Sequence, residues 1–217
     1  MERVQFASIL LAIIPLLLAI TVHEAARGYV AKWYGDPIAE RLGRLTLNPL
    51  KHIDPIGTVL VPLVMFVTSS QLGAPMVFGW AKPIPVNLGN LRNARIGNRM
   101  VSIAGPLSNL LMAFIWAFLM LLHSFVPDSF EVPLNMMCLF GLSFNITLFV
   151  LNMLPIPPLN GGHFVETFLP AKQADQFRQI EPYGMWIVLF LFVTGLLKII
   201  IEPFYRFTYN FIMLLIN

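Results

Sequence analysis

Residues 6–27 read FASILLAIIPLLLAITVHEAAR, an apolar run from Phe6 to Val22 that passes without a break into His23, Glu24, Ala25, Ala26 and Arg27. A secretory leader would follow its apolar core with a small-residue cleavage motif. None precedes the polar cluster, so the stretch is read as a membrane-spanning helix carrying charged residues at its end. Such residues are costly beside hydrocarbon and mark function. The whole chain agrees with that reading: 57% of its 217 residues are hydrophobic and 12% charged, against roughly 45–50% and about 25% in soluble domains. A soluble globule is excluded. The one cysteine, Cys138, cannot form an internal disulfide.

Further apolar runs are Ile56–Leu72, Met100–Phe125, Leu134–Leu154, Met185–Ile201 and Phe204–Ile216. A spanning helix needs about 20 residues. The first, third, fourth and fifth runs qualify, the second is doubtful and the last marginal. Basic residues flank the second run on both sides: Arg27, Lys32, Arg41, Arg44 and Lys51 before it, Lys82, Arg92, Arg95 and Arg99 after it. If the run crossed the membrane, these groups would face opposite sides, against the tendency of Lys and Arg to stay cytoplasmic. Re-entry keeps both groups cytoplasmic, together with Lys172 and Arg178, while the Pro127–Pro133 loop opposite carries no basic residue. Re-entry is therefore favoured over a span. Gly73, Pro75, Gly79, Pro83 and Pro85 forbid regular helix from Gly73 to Asn90 and suggest extended strands or turns. Irregular backbone at membrane depth needs protein or a water-filled cavity to satisfy its polar groups, so a cavity is expected beside it. The net charge of +3 sets topology and is no nucleic-acid footprint.

Chemistry concentrates in two places. One is the His23 to Arg27 pentad. Positions four apart share a helix face, which is how a His-Glu-x-x-His pattern lets two imidazoles grip one zinc while the Glu activates water. Arg27 stands at the fifth position, and a guanidinium has no lone pair for a metal. The other place is Asn152-Met153-Leu154-Pro155-Ile156-Pro157-Pro158-Leu159-Asn160-Gly161-Gly162, a helix end and proline-stiffened turn with a polar side chain at its tip.

Five blocks in order carry a resemblance. They are the pentad with Gly28–Ala31 and Gly35-Asp36, the stretch Gly43–Thr58, the stretch Phe78–Asn87, Ala104-Gly105-Pro106-Leu107-Ser108-Asn109, and the Asn152–Gly162 turn. The chain resembles the site-2 protease family of intramembrane zinc metalloproteases, in its short bacterial form without a PDZ domain. That resemblance implies an all-α polytopic membrane protein of about five or six membrane segments. It would have a three-helix catalytic core (about 6–31, 98–125 and 134–157), a small re-entrant β or hairpin element (about 55–90) and C-terminal helices (about 184–216), in one domain over 1–217. It also implies zinc as cofactor, Glu24 as the catalytic base toward water, and His23 as a metal ligand. Asn109 and Asn152 would be substrate-binding walls, a transmembrane segment of another protein the substrate, and the bacterial inner membrane the location, with basic loops and pentad end cytoplasmic.

Two of the family's three ligand positions differ here. Arg27 replaces a histidine and Asn160 an aspartate. A catalytic zinc normally has three protein ligands and water, so the sequence leaves two functions open: an intramembrane metalloprotease, or a metal-free pseudoprotease or scaffold that binds transmembrane helices without cutting them. In the second, Arg27 pairs with Glu24 and neutralises it in zinc's stead. His163, three residues beyond Asn160, is a candidate replacement ligand, and His52 a poorer one. His123, Trp33, Tyr34, Trp80 and Tyr183 are read as interfacial, Met136, Met137 and Met153 as packing, and Asn145 as interhelical glue. No inverted halves appear, which disfavours a secondary transporter.

Overall fold

Four stretches are helical, long and apolar enough to cross a bilayer: Leu11–Trp33, Ala94–Met120, Asp128–Asn152 and Leu196–Ile216. The computed structural model describes residues 2–61, 63–65, 79–122 and 125–216. Helix α1 covers Glu2–Trp33 and α2 is one turn at Ile38–Arg41. Helix α3 covers Ala94–Met120, opening on the Asn93 side chain, which accepts from the Ile96 amide. Helix α4 covers Asp128–Asn152, with Asp128 and Glu131 in its first turn, where acidic groups complement the helix dipole. Short helices α5 (Asn160–Glu166), α6 (Ala171–Arg178) and α7 (Glu181–Val193) precede α8 (Leu196–Ile216).

Helices α1, α3 and α4 pack on one another, α5 docks on α3, and α8 lies along α3, α4 and α7. The largest buried cluster joins Ala113, Trp116 and Ala117 of α3 to Cys138, Leu142, Ile146 and Val150 of α4 and to Ile212 of α8. Lipid tails are as apolar as leucine, so close packing rather than release from water holds such helices together. Gly141 shows how tight the fit is. A β-carbon there would overlap the Trp116 indole.

Two expectations need correction. The run Met185–Ile201 is not one span: α7 ends at Val193, Gly195 takes φ 77°, and α8 starts afresh at Leu196. The thirteen residues of α7 rise only about 20 Å, whereas α8 absorbs the run judged marginal and becomes the fourth long helix. Five or six spans thus reduce to four helices of spanning length among the described residues. The expected β or hairpin element is also overturned. Among the described residues no β-strand is present: Pro55–Leu60 forms a π-helical turn continuing toward Met65, residues 79–87 have no regular secondary structure, and Leu88–Asn90 is a 3₁₀ turn. The remainder of the expected re-entrant region, residues 62 and 66–78, lies outside the described residues, as does His123.

The Trp116 contact yields a test. Gly141→Val forces the indole out of a closed cluster and should cost about 1–3 kcal/mol by overpacking. It should lower the thermal unfolding midpoint of the detergent-solubilised protein, and an unchanged midpoint would contradict the packing described.

Candidate active site: a hydrogen-bonded histidine and a clamped carboxylate

The pentad sits inside α1, not in its last turn, because the helix continues ten residues past His23 to Trp33. His23 and Glu24 are buried. Across from them α3 presents Gly105, and a β-carbon there would strike the His23 ring. The glycine therefore lets an imidazole rest on helix backbone. One turn further along α3, Asn109 is fully buried and faces the same ring.

Hydrogen bonding fixes how the ring is used. The Asn109 amide nitrogen donates to the Ala19 carbonyl (3.1 Å) and to Asn145 Oδ1 (2.9 Å), so its Oδ1 faces His23 Nδ1 at 2.5 Å. An amide oxygen only accepts, which makes Nδ1 the protonated nitrogen and leaves Nε2 as an acceptor. Asn160 Nδ2 lies 2.9 Å from Nε2 and donates to it. Asn145 completes the series by donating to the Gly141 carbonyl of its own helix. Asn160 reaches the ring because the chain turns tightly after α4. Gly161 and Gly162 lie directly on the backbone of Met153, Ile156 and Pro157, where no side chain would fit. Gly184 of α7 is pressed on Pro157 in the same way.

Glu24 is held from two sides. Arg27 Nη1 lies 3.4 Å from each carboxylate oxygen, and the Ile84 amide donates to Oε2 at 2.7 Å. Ile84 belongs to the irregular segment 79–87, which meets the pentad at Glu24 as a strap. Pro83 and Pro85 have no N–H, so the amide between them is the local donor, and it goes to Glu24. Arg44 secures the strap by donating to the carbonyls of Lys82 (2.8 Å) and Pro83 (3.0 Å). Burial pushes the Arg44 guanidinium below its ordinary value, with the Glu24 carboxylate pulling it back up. Further anchors are the His52 carbonyl on the Lys82 amide, the Gly57 carbonyl on the Trp80 amide, and Asp36, which accepts from the Asn87 amide (2.7 Å) and Asn90 Nδ2 (2.9 Å). Protein groups thus meet several of the strap's polar needs. Gly28 allows the closeness: Leu45 Cδ2 and Ile84 Cδ1 would lie 2.5 and 2.9 Å from a β-carbon there.

The structure brings together His23, Glu24, Arg27, Asn109 and Asn160. It does not bring in His163, whose Nδ1 lies 3.7 Å from Glu166 Oε2 on its own helix, nor His52, whose Nε2 bonds the Thr46 carbonyl. Asn152 spends its amide nitrogen on the Leu148 carbonyl. Arg44 was read from sequence only as a topology-setting charge and Asp36 received no role, although both stand in the blocks that carry the resemblance. A charged residue next to Gly43 or Gly35 was the available signal.

These side chains do not fit a catalytic zinc. The His23 imidazole has its free nitrogen occupied by Asn160, which turns a donor toward it, and the Arg27 guanidinium four residues on has no lone pair for a metal. Among the described residues no three His, Cys, Asp or Glu side chains converge as a metal-holding group.

The chain is 40% identical over 195 residues to YwhC of Bacillus subtilis strain 168, named as a candidate zinc metalloprotease, covering 88% of this chain and 84% of that one. The chain belongs to the site-2-protease-like family of zinc metalloproteases. Rip2 of Mycolicibacterium smegmatis, named in the same way, is 30% identical over 182 residues, which span 84% of this chain and 66% of Rip2. MJ0611 of Methanocaldococcus jannaschii, also so named, is 42% identical over 64 residues, 30% of this chain. No family model matches the chain. No solved structure matches it.

Arg44→Ala tests the strap. Loss of two hydrogen bonds from a charged donor, each worth about 1.5–3 kcal/mol, should speed hydrogen exchange in the peptide containing Ile84 by at least about tenfold. Exchange equal to that of the parent protein would show that Arg44 does not secure it.

Proposed function

We propose that this site-2-protease-like protein is a metal-free member that holds transmembrane segments of other membrane proteins without cutting them. One observation carries the reading: His23 Nε2, the nitrogen a metal would take, accepts a hydrogen bond from Asn160. The ion pair of Arg27 with Glu24 supports it, since a guanidinium already supplies the positive charge that an isolated buried carboxylate requires. On this reading Glu24 and His23 are the inherited catalytic pair, Asn109 positions the His23 ring, and Asn152 lines the path of the bound segment. The location is a bacterial inner membrane, with the basic loops on the cytoplasmic side. A bound segment would be recognised by shape and backbone hydrogen bonding beside the strap. Glu24, clamped by Ile84 and Arg27, is withheld from general-base work.

Elemental analysis of the purified protein, beside an Arg27→His plus Asn160→Asp variant, tests the proposal. The parent should hold far less than stoichiometric zinc and leave a labelled transmembrane peptide intact, and the double variant should gain zinc. Near-stoichiometric zinc in the parent, with chelator-sensitive cleavage of the peptide, would establish the intramembrane metalloprotease instead.

A further inference from the structure

Helix α8 carries Lys198, Glu202, Arg206 and Asn210 at steps of four, one slanting polar row on a helix of spanning length. Its opposite face is already used: Leu197, Thr208 and Ile212 are buried, and the Tyr205 hydroxyl donates to Ser143 Oγ at 3.2 Å. Arg206 has ten residues of helix on either side, so it stands at the middle of this spanning-length helix. Its side chain is 72% exposed and that of Glu202 37%. Lys198 lies two residues from the helix start, where a lysine reaches the interface by extending its stem. Arg206 and Glu202 have no such escape. An ionic group facing hydrocarbon at mid-span is costly, and such groups ordinarily face protein.

The pair is incompletely satisfied. Both Arg206 Nε (3.0 Å) and Nη2 bond the same oxygen, Glu202 Oε1. Among the described residues Glu202 Oε2 and Arg206 Nη1 have no partner. The unit is neutral, lacks one acceptor contact and one donor contact, and would leave a net charge at mid-span if a lone acidic or basic helix covered it. A second copy related by an axis along the membrane normal presents the same two groups at the same depth. Its Glu202 can then accept from this chain's Arg206 Nη1, and its Arg206 can donate to this chain's Glu202 Oε2, closing a neutral four-membered ring of charges. We infer that the exposed face of α8, centred on Glu202 and Arg206, is the surface on which two copies of this chain pair in the membrane. The inference is independent of what the site around His23 binds.

Disulfide cross-linking of the full chain in lipid vesicles tests it, with Leu214→Cys as the reporter one turn beyond Asn210. Oxidation should trap dimers. Adding Glu202→Arg or Arg206→Glu places four like charges together, and each should lower trapping by at least about tenfold on its own. Mixing the two variants in one membrane, each with a different tag, should restore cross-linking between tags, because Arg then meets Glu at every contact. Restoration also shows that both variants are folded. Failure of the parent to cross-link at position 214 and at reporters replacing Ile199 and Phe211 would overturn the inference. So would indifference to the charge changes, lack of rescue in the mixture, or preferential trapping of α8 to a different membrane protein.

Discussion

One imidazole ties the structure together. His23 donates from Nδ1 to Asn109 on α3 and accepts at Nε2 from Asn160 on α5, while Asn109 also reaches the Ala19 carbonyl of α1 and Asn145 of α4. Interhelical hydrogen bonds inside a membrane are worth about 0.6 kcal/mol on average, so a few of them do not assemble the bundle. Packing of α3, α4 and α8 around Trp116, Leu142 and Ile212 does that. The bonds select a register instead. Leaving any of these buried groups unpaired would cost more than pairing them gains, and one arrangement of four elements satisfies them all.

The same economy explains the strap. Segment 79–87 carries two prolines that have no N–H to give a ladder, and several of its other polar groups find partners one by one on Glu24, Arg44, His52, Gly57 and Asp36. Glu24 consequently serves two masters, the strap amide and Arg27. In an active protease the carboxylate would have to be available to water; here each of its oxygens lies within 3.4 Å of a fixed donor. Arg27 and Asn160 act together: one supplies a charge that suits Glu24, and the other a donor that suits His23.

Much of this was legible in the residues. The polar pentad after a long apolar run announced α1, and helical spacing allowed the Glu24 to Arg27 pair. That Arg27 cannot itself ligate a metal followed from the lack of a lone pair on arginine. The break between α7 and α8 was not legible from hydropathy, because Thr194 and Gly195 interrupt an otherwise apolar run too briefly to show. Gly195 as a helix-ending glycine was the overlooked sign. Glycine and proline content correctly excluded helix in the strap but could not distinguish a strand from an irregular segment anchored by side chains. That distinction depends on Arg44 and Glu24, which lie 40 and 60 positions away from Ile84 in sequence.

The central claim is that His23 Nε2 is a hydrogen-bond acceptor for Asn160 and not a metal ligand. Nitrogen-15 magnetic resonance of the protein labelled at histidine, in lipid and with and without added zinc, reads it directly. The account predicts a neutral ring with its proton on Nδ1, an Nε2 signal typical of a hydrogen-bonded acceptor, and no change on adding zinc. An Nε2 signal that moves to the metal-bound position when zinc is added would contradict it.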